Sequence, residues 1–584
     1  MRRFESWTRA ATLGLVVAFC LGAIFTVLAG VGCSGAKKES ADAQATQAPR
    51  PPGVLLEGVI DEPKATWASI HHAIGGPSAL LPEDFVQVVA EHITLDPSVA
   101  AEILTTAPVH LLVGEPATSV PAIVAVFQFA NPTHAREVLF VGPNARYTET
   151  KDGPISWLAP KTGPGAVGLA MHVRGTLIVG LGAASTRDVL SRYAAYAGSS
   201  LAAEVAQAKA SISADAQVRR TPAGVRLWLR HDAIPTVRRV SDDGWRSVRV
   251  FLETADKKQR EDHAGRPPDY GDADQMIGLL DRWVQGLLSR VNDVEKATIS
   301  IDVGDEWLAL EVQGVASVGT EYESALKKGY VATPTPLLNE PEFAALAGWQ
   351  VDSKEAREEA IESRRNAVRE ILGKRLHDDK PVLDVLSSWE RVRGDSIAWS
   401  VGFSHEARGV HVATSLADVG QLEPFWNAAI AAVRTPALSG LLRLSGKVDD
   451  AKASMSELTQ MRTMRLKRQG SGPQTDVAIA RGVKDGQLHI FLADKVEPWA
   501  RVSLSPKKTL GEIPLVTREL RDQARGHVLS AWVAQPLRIL PTKQGAESAP
   551  CTLFVSREEI GPQASAVLRA ACSSALLREV VKLR

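Results

Sequence analysis

Cysteine is scarce in this chain, four among 584 residues, and two of the four, Cys20 and Cys33, lie in the first 33. Only Cys551 and Cys572 remain for the body. No Cys-x-x-Cys spacing occurs, which excludes a cysteine-based zinc ribbon and a dithiol redox motif. Net charge is absent as well, with 67 basic residues against 67 acidic ones. Residues 1–33 hold three basic and one acidic residue, so the remainder carries 64 against 66, a net of −2. Bulk charge therefore draws neither nucleic acid nor an anionic bilayer. No apolar run after residue 33 reaches 18 residues, so the body is expected to be soluble and without spanning helices. A P-loop, a dinucleotide-binding glycine fingerprint after a strand and a Gly-x-Ser-x-Gly elbow are all missing, and no cofactor is expected. A catalyst assembled from distant residues leaves no such trace.

What is present begins at the N-terminus. Arg2, Arg3 and Arg9 stand against a single Glu5, and residues 11–32 carry no charge over 22 positions. A positive flank, an apolar core and then small residues is the layout of an export segment. The arginines keep that end in the cytoplasm. Everything after residue 33 is then expected on the outer side of the inner membrane, facing the periplasm.

Three endings fit this segment. Gly30-Val31-Gly32-Cys33 resembles the lipobox of bacterial lipoproteins at its last three positions, with Gly30 where leucine is usual. The resemblance covers about the first 34 residues and implies that Cys33 is lipidated and becomes the first residue of the mature chain. Ser34 after it implies transfer to the outer membrane. The second ending is an uncleaved helix, since 22 apolar residues meet the ~20 that a span needs. The third is cleavage after Ala36, where Ser34-Gly35-Ala36 fits a small-x-small site. Residues 34–53 are small, charged and proline-rich, too poor in apolar surface to order themselves, as a solvated leash would be.

The body, 45% hydrophobic and 23% charged over the whole chain, reads as folded and too long for one core. Strand signals dominate. Residues 122–130 (AIVAVFQFA) are continuously apolar, and Asn131-Pro132 then opens a helix. Arg174-Gly175 and Lys484-Asp485-Gly486 read as tight hairpin turns. In GVRLWLRH (224–231), Val225, Leu227 and Leu229 are expected inward, with Arg226, Trp228 and Arg230 outward. Residues 353–377 form the clearest amphipathic helix; residues 254–274 and 541–550 read as loops. The pattern predicts an α+β fold of antiparallel sheets built from hairpins with flanking helices. Two stretches, 122–195 and 438–500, share the order strand, helix, hairpin, with 447–460 as the second helix, which suggests two related halves. The expected divisions are 1–32 signal or anchor, 33–53 linker, 54–335 first half and 336–584 second half, cut where prolines crowd near 335.

Few residues point to chemistry. Cys551 opens a strand and Cys572 is placed on the following helix; in an oxidising compartment such a pair is expected as a disulfide, worth ~3 kcal/mol for a loop of about 22 residues. Lys161-Thr162-Gly163 matches one motif of penicillin-binding proteins, but no Ser-x-x-Lys stands in the required place. Asp269, Asp272 and Asp274 fit a helix cap better than a calcium loop. His71, His72, His405 and His411 have too few partners for a metal site. Arg462, Arg465, Lys467 and Arg468 read as a solvated strand face. The expectation is a membrane-tethered extracytoplasmic lipoprotein without catalytic or metal residues, binding an envelope protein, a glycan or an apolar ligand. The rivals are a single-pass inner-membrane protein with the same body and an exported hydrolase. A pocket with close titratable groups favours the hydrolase, and a long open groove favours binding.

Overall fold

The computed structural model describes residues 48–582 apart from 75–81, 94–99, 118–119, 142–144, 146, 162–166, 214–223, 263–276, 279, 283, 287–290, 305, 328–332, 373–379, 404–406, 437, 439–443, 469–476, 524–526, 540–547 and 561–562. Its strands are β1 Val54–Ile60, β2 Val109–Ala117, β3 Val120–Gln128, β4 Tyr147–Asp152, β5 Ile155–Pro160, β6 Gly168–His172, β7 Thr176–Gly182, β8 Gly224–Leu229, β9 Val294–Gly304 and β10 Trp307–Ala316. They continue as β11 Ala344–Val351, β12 Arg393–Phe403, β13 Arg408–Leu416, β14 Leu444–Lys452, β15 Thr459–Arg468, β16 Val477–Lys484, β17 Gln487–Ala493, β18 His527–Ala534, β19 Cys551–Ile560 and β20 Gln563–Ser573. With helices between them and antiparallel pairing throughout the ladders described below, the fold is α+β.

The chain divides into two compact units. The first draws on residues 20–242, 288–327 and 559–584, the second on 243–287 and 328–558. In the first unit the strand order is β4-β5-β6-β7-β3-β2-β1-β8-β9-β10-β20. Helices cover both faces of this sheet, and that explains the unbroken apolar run of β3. Val124 and Val126 pack with Leu190, Tyr193 and Ala197 of helix Arg187–Ser199, while Ala125 and Phe127 pack with Ala135 and Leu139 of helix Pro132–Phe140. A strand buried on both sides has no reason to alternate. Asn131 caps its helix by accepting from the His134 N–H at 3.1 Å. Residues 48–50 are tied to the first unit: Ser200 Oγ donates to the Ala48 carbonyl at 2.8 Å, and Arg50 Nε donates to Glu57 at 2.9 Å.

In the second unit the order is β14-β15-β16-β17-β13-β12-β11-β18-β19. Subtracting ten from each number gives the order of β1–β9 in the first unit. The Lys484–Gln487 hairpin closes through Asp485 (φ 51°) and Gly486 (φ 75°), the double left-handed turn that matches strand twist. Trp349, Ala347, Ala398, Ala531, Val533 and Phe554 form one core, and Phe491, Ala493, Trp499 and Ala500 another.

Several local readings are corrected. Residues 447–452 continue β14 rather than starting a helix, because the strand pairs with β15 through Val448–Leu466 and Asp450–Met464. Residues 254–262 are the end of a long helix, Ile234–Asp262, where polar composition disguised a helix with little buried surface. Trp228, expected outward, is buried at 6% exposure. The amphipathic reading of 353–377 corresponds to helix Lys354–Leu372.

Candidate functional site

Strands β12, β13 and β17 are neighbours, and their register places Ser400, His411 and Phe491 in one row. His489 lies two residues before Phe491 and so projects from the same face, opposite Ala413. The segment after the short helix Thr335–Leu338 supplies Glu340, held by its backbone to Leu337 O at 3.1 Å and by Leu510 N–H at 2.8 Å. Helix Val496–Leu504 supplies Ser503.

These side chains form a buried polar chain. Glu340 is 3% exposed and accepts from the hydroxyl of Ser400. His411 Nδ1 lies 3.0 and 3.1 Å from the two Glu340 oxygens, and its Nε2 lies 3.1 Å from His489 Nδ1. The two imidazoles are nearly parallel, 3° apart, and Phe491 stacks on His411 with centroids 5.0 Å apart. A carboxylate can only accept, so His411 Nδ1 carries the proton between them. One further proton is shared between His411 Nε2 and His489 Nδ1. With both rings neutral, His489 donates inward and its Nε2 is a bare acceptor. With His411 as imidazolium, His411 donates and His489 Nε2 bears hydrogen instead. Burial, followed by the neighbouring His411 and Lys484, pushes the pKa of His489 down to about 3, so that ring is neutral at physiological pH.

The chain ends at a cavity of about 450 Å³. Its lining includes His489, Ser503, Asn339, Gln487, Thr509 and Lys484. Lys484 Nζ donates to the Leu504 carbonyl at 3.2 Å. Ser503 Oγ is buried without a hydrogen-bond partner, and His489 Nε2 makes no hydrogen bond to any described residue. The wall thus combines hydroxyls, amides and a neutral imidazole with three charged residues, Glu340, Lys484 and Asp485, of which Glu340 is taken up by Ser400 and His411 and Lys484 by the Leu504 carbonyl. Its apolar members are aliphatic, Pro336, Ala413, Leu504 and Pro506.

The residues singled out from sequence fare differently. Cys551 and Cys572 are disulfide-bonded, but Cys572 lies on β20 and not on a helix. Residues 563–573 pair with β10 from Ser565–Val315 to Ser573–Trp307, and this pairing overrides the small-residue pattern that suggested helix. Cys33, Thr162, Gly163, Asp269, Asp272, Asp274 and His405 lie outside the described residues. His71 and His72 end helix Pro63–Ile74. Arg465 and Lys467 are exposed on β15 while Met464 and Leu466 face inward; Arg462 bonds Glu423 at 2.8 Å and also reaches Asp450. Among the described residues no group of three or more His, Cys, Asp and Glu side chains is arranged to hold a metal ion. No helix among them is long and apolar enough to cross a membrane, and residues 11–32 lie outside them.

Of the four residues of the buried chain, only His411 was considered from sequence, and then as a metal ligand. The available signal was parity: His411 and His489 occupy inward positions of otherwise apolar strands, where a polar side chain needs a buried partner. No protein-family model matches the sequence, and no curated protein or solved structure is detectably similar to it.

Proposed function

We propose that this protein is a membrane-tethered extracytoplasmic lipoprotein whose second unit binds a small, uncharged, hydrogen-bonding ligand, of the glycan class, beside His489. One observation carries the binding reading: Ser503 Oγ, buried, and His489 Nε2 line one cavity, and neither has a hydrogen-bond partner among the described residues. Buried polar groups are normally satisfied, and a ligand hydroxyl, which both donates and accepts, would satisfy both. The predominantly polar lining, which includes no phenylalanine, tyrosine or tryptophan, argues against an apolar ligand. The disulfide supports an oxidising compartment, and the tether rests on residues 11–33. Intact-mass analysis of membrane-extracted protein tests it: a chain starting at lipidated Cys33 is expected, and a chain retaining Met1 would show a helical anchor instead.

A hydrolase is the second reading, favoured by the proximity of Glu340, His411 and His489 to a pocket that holds Ser503. Two features weigh against it. An imidazole whose pKa is near 3 is a feeble general base at neutral pH, and no hydroxyl in the pocket is hydrogen-bonded to it. Turnover of a chromogenic ester or glycoside that disappears in His489→Gln would favour the hydrolase over the binding protein.

The two units also support a common origin for the chain's halves. Strands β1–β9 and β11–β19 follow one order, and helices fall at matching places, after β3 and β13 and after β7 and β17. The matching hairpins, β6–β7 and β16–β17, are the ones expected to correspond.

A further inference from the structure

A second cavity, about 300 Å³, lies within the first unit. We infer that it binds a small carboxylate through Trp228 and Lys296. Glu57 on β1, Trp228 on β8 and Thr298 on β9 form one row across three neighbouring strands, so their side chains share a face. Arg230 and Lys296 lie two residues further along, at the next row of that same face. Helix Leu201–Ser213 closes the cavity with Glu204 and Gln207.

The charges already present are accounted for, with one exception. Glu57, 2% exposed, accepts from Arg50 Nε at 2.9 Å and from the Tyr196 hydroxyl at 2.6 Å. Arg50 also reaches the exposed Asp232. Arg230 pairs with Glu204 at 2.6 Å and stands 4.0 Å from Glu57. Lys296 lines the cavity and has no ion pair among the described residues. Two more observations point to unmet hydrogen bonding on this wall. The Trp228 indole is 6% exposed, lines the cavity, and its N–H has no acceptor. His231 Nδ1 on the same wall is buried and unpartnered. What this wall lacks is an acceptor, and what it offers is one ammonium and a buried indole donor. A carboxylate meets both with its two oxygens. Phosphate fits less well, because Arg50 and Arg230, the bidentate cations suited to it, are engaged by acidic side chains.

The test is calorimetric titration of the full chain with acetate, succinate, glutamate and benzoate, with inorganic phosphate and succinamide as controls. Saturable binding of at least one carboxylate is expected, with succinamide inert. Trp228→Phe, which keeps an aromatic ring but removes the indole N–H together with part of the indole, should weaken that binding about tenfold, the usual consequence of losing one hydrogen bond to a charged group. Lys296→Met should weaken it at least as much, and as a half-exposed strand residue it tests the site even if the tryptophan variant fails to fold. Unchanged melting temperatures of the unliganded variants would show that the fold is intact. No binding of any of the four carboxylates, binding of phosphate alone, or affinity unaltered in both variants would each overturn the assignment.

Discussion

The two units bury a glutamate in different ways. In the first, Glu57 is met by a guanidinium and a phenol, Arg50 and Tyr196, and the charge is answered on the spot. In the second, Glu340 is met by a hydroxyl and an imidazole, and the imidazole hands its hydrogen-bonding state on to His489 at the cavity wall. A guanidinium has one charge state in a protein, so it ends a network. An imidazole has two nitrogens and two neutral forms, so it extends one. The difference teaches that a buried acid can either lock a structure or set the character of a distant ring nitrogen, depending on its partner.

Breaking the first arrangement should have the largest effect. Glu57→Leu removes the acceptor of the buried Tyr196 hydroxyl and of Arg50 Nε, although Arg50 keeps Asp232 and the Val54 carbonyl, and loss of one partner of a buried pair costs about 3–5 kcal/mol. Equilibrium urea unfolding, followed by tryptophan fluorescence, checks it; a loss below about 1 kcal/mol would mean that Glu57 behaves as a surface ion pair.

The second arrangement should reveal itself through pH. His489 has a folded pKa near 3 against 6.5 for the free side chain. Between those values the unfolded chain binds the proton and the folded chain does not. The stability that His489 contributes is therefore complete above about pH 6.5 and declines as pH falls toward 3. At about 1.4 kcal/mol per unit the loss approaches ~4 kcal/mol by the acid end. His489→Gln should remove this component of the stability curve between pH 4 and 6, and identical curves for both proteins would contradict the assignment.

Glu340→Gln is expected to cost less, about 1–3 kcal/mol, since a carboxamide oxygen can still accept from both Ser400 and His411, while the negative charge and the second acceptor oxygen facing His411 are lost. The same urea titration checks it. A cost equal to that of Glu57→Leu would erase the contrast between locking and relaying.

Much of the fold was legible because it is local. Hairpins with glycine at the turn, an asparagine–proline helix start and the antiparallel class follow from periodicity and turn chemistry. The errors lie where tertiary pairing overrides composition. Residues 447–452 and Cys572 became strand because a neighbouring strand was there to pair with, and Trp228 turned inward because its face is covered by a helix. The site was almost invisible, since Glu340, His411 and His489 are brought together from three separate stretches by strand register, and no spacing along the chain encodes that. A histidine in the inward parity of an apolar strand was the single trace.

The cavity beside His489 is proposed to take a hydrogen-bonding, uncharged ligand. Calorimetric titration of the intact protein with N-acetylglucosamine oligosaccharides tests it most directly. The account predicts one saturable site per chain whose affinity falls about tenfold in Ser503→Ala and in His489→Gln. No saturable binding, or binding equally strong in both variants, would contradict it.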